Sequence, residues 1–223
     1  MKRIAAVESF FSPEHRAAIE KAAAECGFSV DYFTQGHLPA DQAADYEIIY
    51  GMPKPGELKD FVNLKWFCGS FAGVDAYLDD SLYPSPEVML SNSSGAYGIT
   101  ISEHILMVTL MMLRQMPKFE EIVKNREWEK GLSMRSICGS SITVLGTGDI
   151  GTNFARRAKA LGAKTVRGVR RSKKPCDPAF DQVHTLDGLD DLDDLADADC
   201  PDFSEDTLRT VRIDGRPISA YCF

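Results

Sequence analysis

The stretch VLGTGDIG, Val144 to Gly151, has the glycine spacing of a loop that cradles a dinucleotide pyrophosphate. Gly146 permits a tight turn out of a strand, Gly148 lets the backbone approach a phosphate closely, and Gly151 lets the following helix pack on the sheet. The amides of Asp149 and Ile150 would point at phosphate from the helix N-terminus, where unpaired N–H groups and the dipole favour an anion. About twenty residues on, where an acid normally accepts from the adenosine ribose, stand Arg170, Arg171 and Ser172. A carboxylate would repel a 2′-phosphate there, whereas guanidinium groups and a hydroxyl would bind one. The two stretches together predict a site that prefers NADP and still admits NAD. The plainer alternatives are a tight strand-to-helix turn and a solvated basic strand end running into Lys173 and Lys174.

Strand, loop, helix and second strand must follow in order for such a loop to work, and ITVLGTGDIGTNFARRAKALGAKTVRGVRR supplies that order. The chain upstream alternates in the same way. RIAAVES reads as a strand, and SPEHRAAIEKAAAECG as a helix with Ser12 as N-cap, Pro13 in its first turn and Gly27 at its end. FSVDYF, YEIIYG, LKWFCGS and VMLSNSS read as further strands. Strands alternating with helices predict an α/β fold, a parallel sheet with helices on both faces. From Gly98 to about Lys124 the pattern becomes one long helix, apolar nearly all round, expected between two layers. Expected are a first domain over 1–98, the long helix over 99–125, the first half of a dinucleotide-binding domain over 126–199, and an atypical tail over 200–223.

Composition excludes other classes. A net charge of -8 argues against a nucleic-acid or anionic-membrane surface. The apolar run from Ile105 to Leu113 is about half of what a bilayer needs. Six scattered cysteines form no C-x-x-C pair and no zinc spacing, so inert thiols in a reducing cytoplasm are expected. The aspartate-rich segment 187–199 carries Leu189, Leu192 and Leu195 at three-residue steps, which predicts a short amphipathic helix and not a metal site.

Three stretches, in this order, resemble the D-isomer-specific 2-hydroxyacid dehydrogenase family, which includes glyoxylate/hydroxypyruvate reductases. NLKWFCGSFAGVDAYL resembles the family's substrate loop; SNSSGAYGITISEHILMVTLMMLRQMPK resembles its strand, turn and long helix with the Glu103–His104 pair; the third is the glycine-loop segment. The resemblance implies a flavodoxin-like substrate domain and a Rossmann domain closing over a cleft, and dimers formed through the Rossmann side and the long helix. It implies that the amides of Gly73 and Val74, following Ala72, hold the carboxylate of a small 2-keto or 2-hydroxy acid, with Gly51 and Met52 facing the same cleft. A glycine-containing turn can aim consecutive N–H groups at one anion, although FAGVD could equally be an ordinary turn capped by Asp75.

The family's proton-transfer machinery, an arginine in an N-x-G-R-G-like strand end and a histidine oriented by a glutamate, has no counterpart in this sequence. No catalytic residue is therefore assigned: not among His15, His37, His104 and His184, nor among Arg209, Arg212 and Arg216. The 72 residues after Gly151 compare with on the order of 130 needed to complete a six-stranded dinucleotide fold. The stretch VRIDGRPISAYCF resembles nothing in the family. Two expectations stand: a truncation that impairs hydride transfer, or a short protein whose tail pairs with the sheet differently. In either case a non-catalytic dinucleotide-binding or dimerising module is the alternative function, and a remnant without a selected function is the blandest reading.

Overall fold

The computed structural model describes residues 2–8, 10–185, 210–213 and 216–219, the last two segments as backbone only. The chain divides into two compact units, Met1–Ala96 and Tyr97–Phe223.

The first unit is a five-stranded parallel sheet in the order β2-β1-β3-β4-β5. Its strands are β1 (Lys2–Val7), β2 (Phe28–Phe33), β3 (Tyr46–Gly51), β4 (Trp66–Gly69) and β5 (Met89–Ser91). Ala5, Ala6 and Val7 are fully buried, as a central strand covered on both faces requires. The helix α1 (Pro13–Glu25) starts where the sequence signals it. Ser12 Oγ accepts from the His15 amide, and the His15 ring accepts from the Ser12 amide, both at 3.3 Å, so a histidine completes the reciprocal cap. The later crossovers are shorter than the alternating pattern predicts. They run through 3-10 turns at Ala40–Asp45, Pro55–Asp60, Asp75–Tyr77 and Asp80–Leu82. Tyr46, Ile49, Leu58, Phe61 and Phe67 form the core between these turns and the sheet.

The second unit contains α2 (Gly98–Leu113), α3 (Met116–Lys124), β6 (Ser141–Leu145), α4 (Asp149–Ala160), β7 (Thr165–Arg170) and β8 (Gln182–Thr185). The single long helix expected over 99–125 is two helices. Gln115 takes a left-handed conformation (φ 53°), and Pro117, lacking an N–H, cannot continue the ladder of α2. Nor is α2 buried all round. Gly98, Ser102, Ile105, Thr109 and Leu113 form one buried stripe, while Ile99, Met107, Leu110, Met111 and Met112 are exposed. Near-uniform hydrophobicity hid the true stripe, which the small residues Gly98 and Ser102 mark better than the large ones.

Strands β6, β7 and β8 are parallel, and Ile142, Val144 and Val166 pack against Phe154, Ala155 and Ala158 of α4 and against Ile105 and Leu113 of α2. On the other side of β6 stands an antiparallel hairpin, β9 (Thr210–Ile213) and β10 (Arg216–Ser219), giving the order β10-β9-β6-β7-β8. Within the tail, Thr210–Ile213 and Arg216–Ser219 thus join the sheet antiparallel. The helix expected within 187–199 lies outside the described residues.

Candidate functional site

Leu145 ends β6, and Gly146 turns the chain with φ 96° while its amide donates to the Val169 carbonyl at 2.8 Å. Gly148 is the N-cap of α4, and no side chain caps that end. The first amides of a helix have no partner inside it, so those of Asp149, Ile150 and Gly151 form a cationic helix end. A β-carbon on Gly148 would meet nothing within 4 Å, which leaves room for a ligand to approach the backbone. A β-carbon on Gly151 would run into the Gly146 carbonyl oxygen. Gly168 on β7 is equally constrained: Thr147 and Phe180 occupy the space its side chain would need. The Asp149 side chain accepts from Asn153 at 2.9 Å and lies against Gly98, where no β-carbon would fit beside it. That carboxylate therefore serves the joint between α2 and α4.

One strand over, Arg170 lines a cavity of about 590 Å³ together with Lys173, Lys174, Val183, His184 and Thr185. Its guanidinium donates to the carbonyls of Lys174 and Pro175 at 3.3 Å and 3.4 Å, which folds the basic loop around it. Arg171 and Ser172, expected beside it, are exposed and do not line the cavity. Lys173 and Lys174, named from sequence only in the alternative of a solvated basic strand end, line the cavity with Arg170; a lysine pair in a loop gives no periodic signal. Asp177 and Asp181 pin the far end of this loop to α4. Arg156 bonds Asp177 and holds its carboxyl below the usual range. Lys159 does the same for Asp181, which also accepts from the Val166 amide at 2.6 Å. His184 Nε2 is buried with no hydrogen-bond partner among the described residues.

In the first unit, Val7, Gly51 and Gly69 are in register across β1, β3 and β4. Their successors Glu8, Met52 and Ser70 therefore stand together at the carboxyl ends of the strands. Gly51 (φ 118°) has no room for a β-carbon because of the Val7 carbonyl, which also accepts from the Met52 amide at 2.9 Å. The loop after β4 is held from below: Asn92 donates to the Ala72 carbonyl at 2.5 Å, and the Ser93 amide to the Phe71 carbonyl at 2.9 Å. Among the described residues, none of the turn's hydrogen bonds uses the amides of Gly73 and Val74, and the space over Gly73 is open.

The order 2-1-3-4-5 in the first unit and the β-loop-α-β turn in the second define the class: a flavodoxin-like α/β domain joined to a Rossmann-type dinucleotide fold. The profile of the D-isomer specific 2-hydroxyacid dehydrogenase NAD binding domain matches residues 106–200. A crystal structure of a D-isomer specific 2-hydroxyacid dehydrogenase family protein from Aeromonas salmonicida superposes with a TM-score of 0.73 and 27% identity, over 93% of this chain and 66% of that one. The chain is thus similar to D-isomer specific 2-hydroxyacid dehydrogenases in fold, and over residues 106–200 to their NAD binding domain. A D-lactate dehydrogenase from Staphylococcus epidermidis is 26% identical over 134 residues, 56% of this chain and 40% of the relative. The enzyme from Xanthobacter autotrophicus, solved with NADPH and MES, shares the fold at a TM-score of 0.68 and 24% identity, over 93% of this chain and 66% of that one. The chain thus spans about two-fifths of the length of this D-lactate dehydrogenase. Among the described residues no group of histidine, cysteine or acidic side chains could hold a metal ion, and no helix is long and apolar enough to cross a membrane.

Proposed function

We propose that this chain is the substrate-binding and nucleotide-binding portion of an oxidoreductase acting on small 2-hydroxy or 2-keto acids, with NADP preferred over NAD. The observation that carries the reading is the uncapped N-terminus of α4, followed one strand later by a cavity bearing Arg170, Lys173 and Lys174. The pyrophosphate suits the amides of Asp149, Ile150 and Gly151, and a 2′-phosphate suits the three cations. Gly146, Gly148 and Gly151 fit that cofactor because two of them remove side chains from tight contacts or turns and the third leaves open space. A bound nicotinamide supplies or accepts the hydride; the amides of Gly73 and Val74 hold the substrate carboxylate. Calorimetric titration with NADPH and NADH tests the reading: NADPH binding at least about tenfold tighter supports it. Equal or tighter NADH binding rejects the preference.

A second reading, a dinucleotide-binding or dimerising module without turnover, draws on two observations. Strand β9 stands antiparallel beside β6, where a doubly wound sheet carries a parallel strand. The exposed face of α2 and α3 presents Leu106, Met107, Leu110, Met111 and Met116 around an apolar cavity of about 490 Å³, a surface suited to a second copy of the chain. NADPH oxidation with glyoxylate and hydroxypyruvate separates the two readings. Turnover favours the enzyme, and NADPH binding without turnover favours the module.

A further inference from the structure

Glu8 follows the last residue of β1 and exposes only 8% of its surface. Its position is the switch point of the first sheet: β1 leads to β2 on one side, and β3, β4 and β5 lie on the other. Ligands of open α/β sheets bind outside the carboxyl ends of the strands at this point. Ser70 Oγ donates to Glu8 Oε1, and this neutral hydroxyl is the only side-chain donor to Glu8 among the described residues. No lysine, arginine or histidine pairs with it among those residues. The Tyr50 phenol, which feels the charge of both Glu8 and Cys68, supplies no positive charge, and neither does the Cys68 thiol. A carboxylate withdrawn from water with one neutral donor is costly unless a cation completes it.

We propose that Glu8 is a specificity-determining residue that binds a cationic group on the substrate, an ammonium or guanidinium at the end of a 2-keto or 2-hydroxy acid side chain. This rests on the proposed substrate site, because Ser70, which holds Glu8, lies three residues before Gly73. The amides of Gly73 and Val74 take the substrate carboxylate, and Glu8 takes the opposite charge at the far end. A substrate with charges of both signs then meets both. A neutral side chain leaves Glu8 unpaired, and an anionic one is repelled. No covalent step is involved; the residue sorts substrates by charge.

The test uses the full chain saturated with NADPH, titrated calorimetrically with three probes. The first is 5-guanidino-2-oxopentanoate, the second the neutral 2-oxohexanoate, and the third agmatine, which has the guanidinium but no carboxylate. The guanidino acid is expected to bind at least about tenfold more tightly than the neutral one, and Glu8→Gln to remove that difference by weakening the guanidino acid selectively. Glu8→Gln keeps an acceptor for Ser70, and a thermal melt of the variant reports its folding. The comparison of the first two probes on the unaltered protein needs no variant. Equal binding of those two, or equal weakening of both by Glu8→Gln, overturns the proposal. If neither keto acid binds but agmatine does, and Glu8→Gln abolishes it, the cation site stands and the keto-acid reading fails. If none of the three binds, both fail.

Discussion

Gly151 and Gly146 are so close that a β-carbon on the first would run into the carbonyl oxygen of the second. This contact seats the first turn of α4 on the end of β6 and brings the uncapped amides of Asp149 and Ile150 to the mouth of the loop. Gly151→Ala is therefore expected to displace the loop, destabilise the second unit by about 1–3 kcal/mol and weaken NADPH binding at least about tenfold. Thermal unfolding and calorimetry check it. A variant that binds NADPH normally would show that the loop is not the pyrophosphate site.

The proposed preference for NADP is tested at Arg170 and Lys173, which line the same cavity. The double change Arg170→Ser with Lys173→Ser removes two of the three cations lining the cavity. Each charge-assisted hydrogen bond contributes about 1.5–3 kcal/mol, so NADPH affinity should fall by ten- to a hundredfold or more while NADH affinity stays constant. Parallel loss for both cofactors would place the 2′-phosphate elsewhere.

Tyr46 provides a pH signature of the first unit. It is fully buried, its hydroxyl donates to Asp31 at 3.2 Å, and Arg3 stacks on its ring 4.7 Å from the centroid. Burial, with the charge of Asp31 adding, pushes its phenol up to about 12. An unfolded tyrosine titrates near 10, so the folded chain holds this proton more tightly. The resulting contribution to stability is complete below about pH 10 and is lost as pH rises through about 12. Spectrophotometric titration near 295 nm, a wavelength of roughly maximal phenolate difference absorbance, should show it among the last phenols to ionise before alkaline unfolding. Loss of the late phase in Tyr46→Phe assigns it; an unchanged titration curve refutes it.

Met111 and Leu110 test the exposed face of α2. Both are more than a third exposed and border the apolar cavity. If that face joins two copies, Met111→Glu shifts the chain from dimer to monomer in sedimentation, with no change in its circular dichroism. A chain that is already monomeric at micromolar concentration, or a dimer unaffected by the substitution, rejects the assignment.

The turn at the glycine loop was legible because Gly146 and Gly151 answer a local steric demand that recurs wherever a strand turns tightly into a helix packed on its sheet. The bounds of β2 and β3, and the cap of α1 at Ser12, were legible for a similar reason: short-range pattern and capping chemistry act within a few residues. The break at Gln115 and the buried stripe of α2 were not. A helix with large apolar residues on most sides carries little periodic contrast, and its neighbours decide which side is covered. The cavity beside Arg170 is lined by Lys173 and Lys174, and this was not legible either, because it follows from the Arg170 guanidinium bonding the carbonyls of the following loop.

What the sequence determined alone is the local frame: a strand, glycine turn, helix and second strand in the order of an NAD binding domain. Tertiary structure decided which charges share a site. Glu8 is one acid among the 33 acidic residues of the chain. Only the register of β1 with β3 and β4 sets it beside Ser70 at the switch point of a sheet, withdrawn from water. Local preference fixes a turn over a few residues, whereas burial and pairing of a charge depend on strands that meet 62 residues apart.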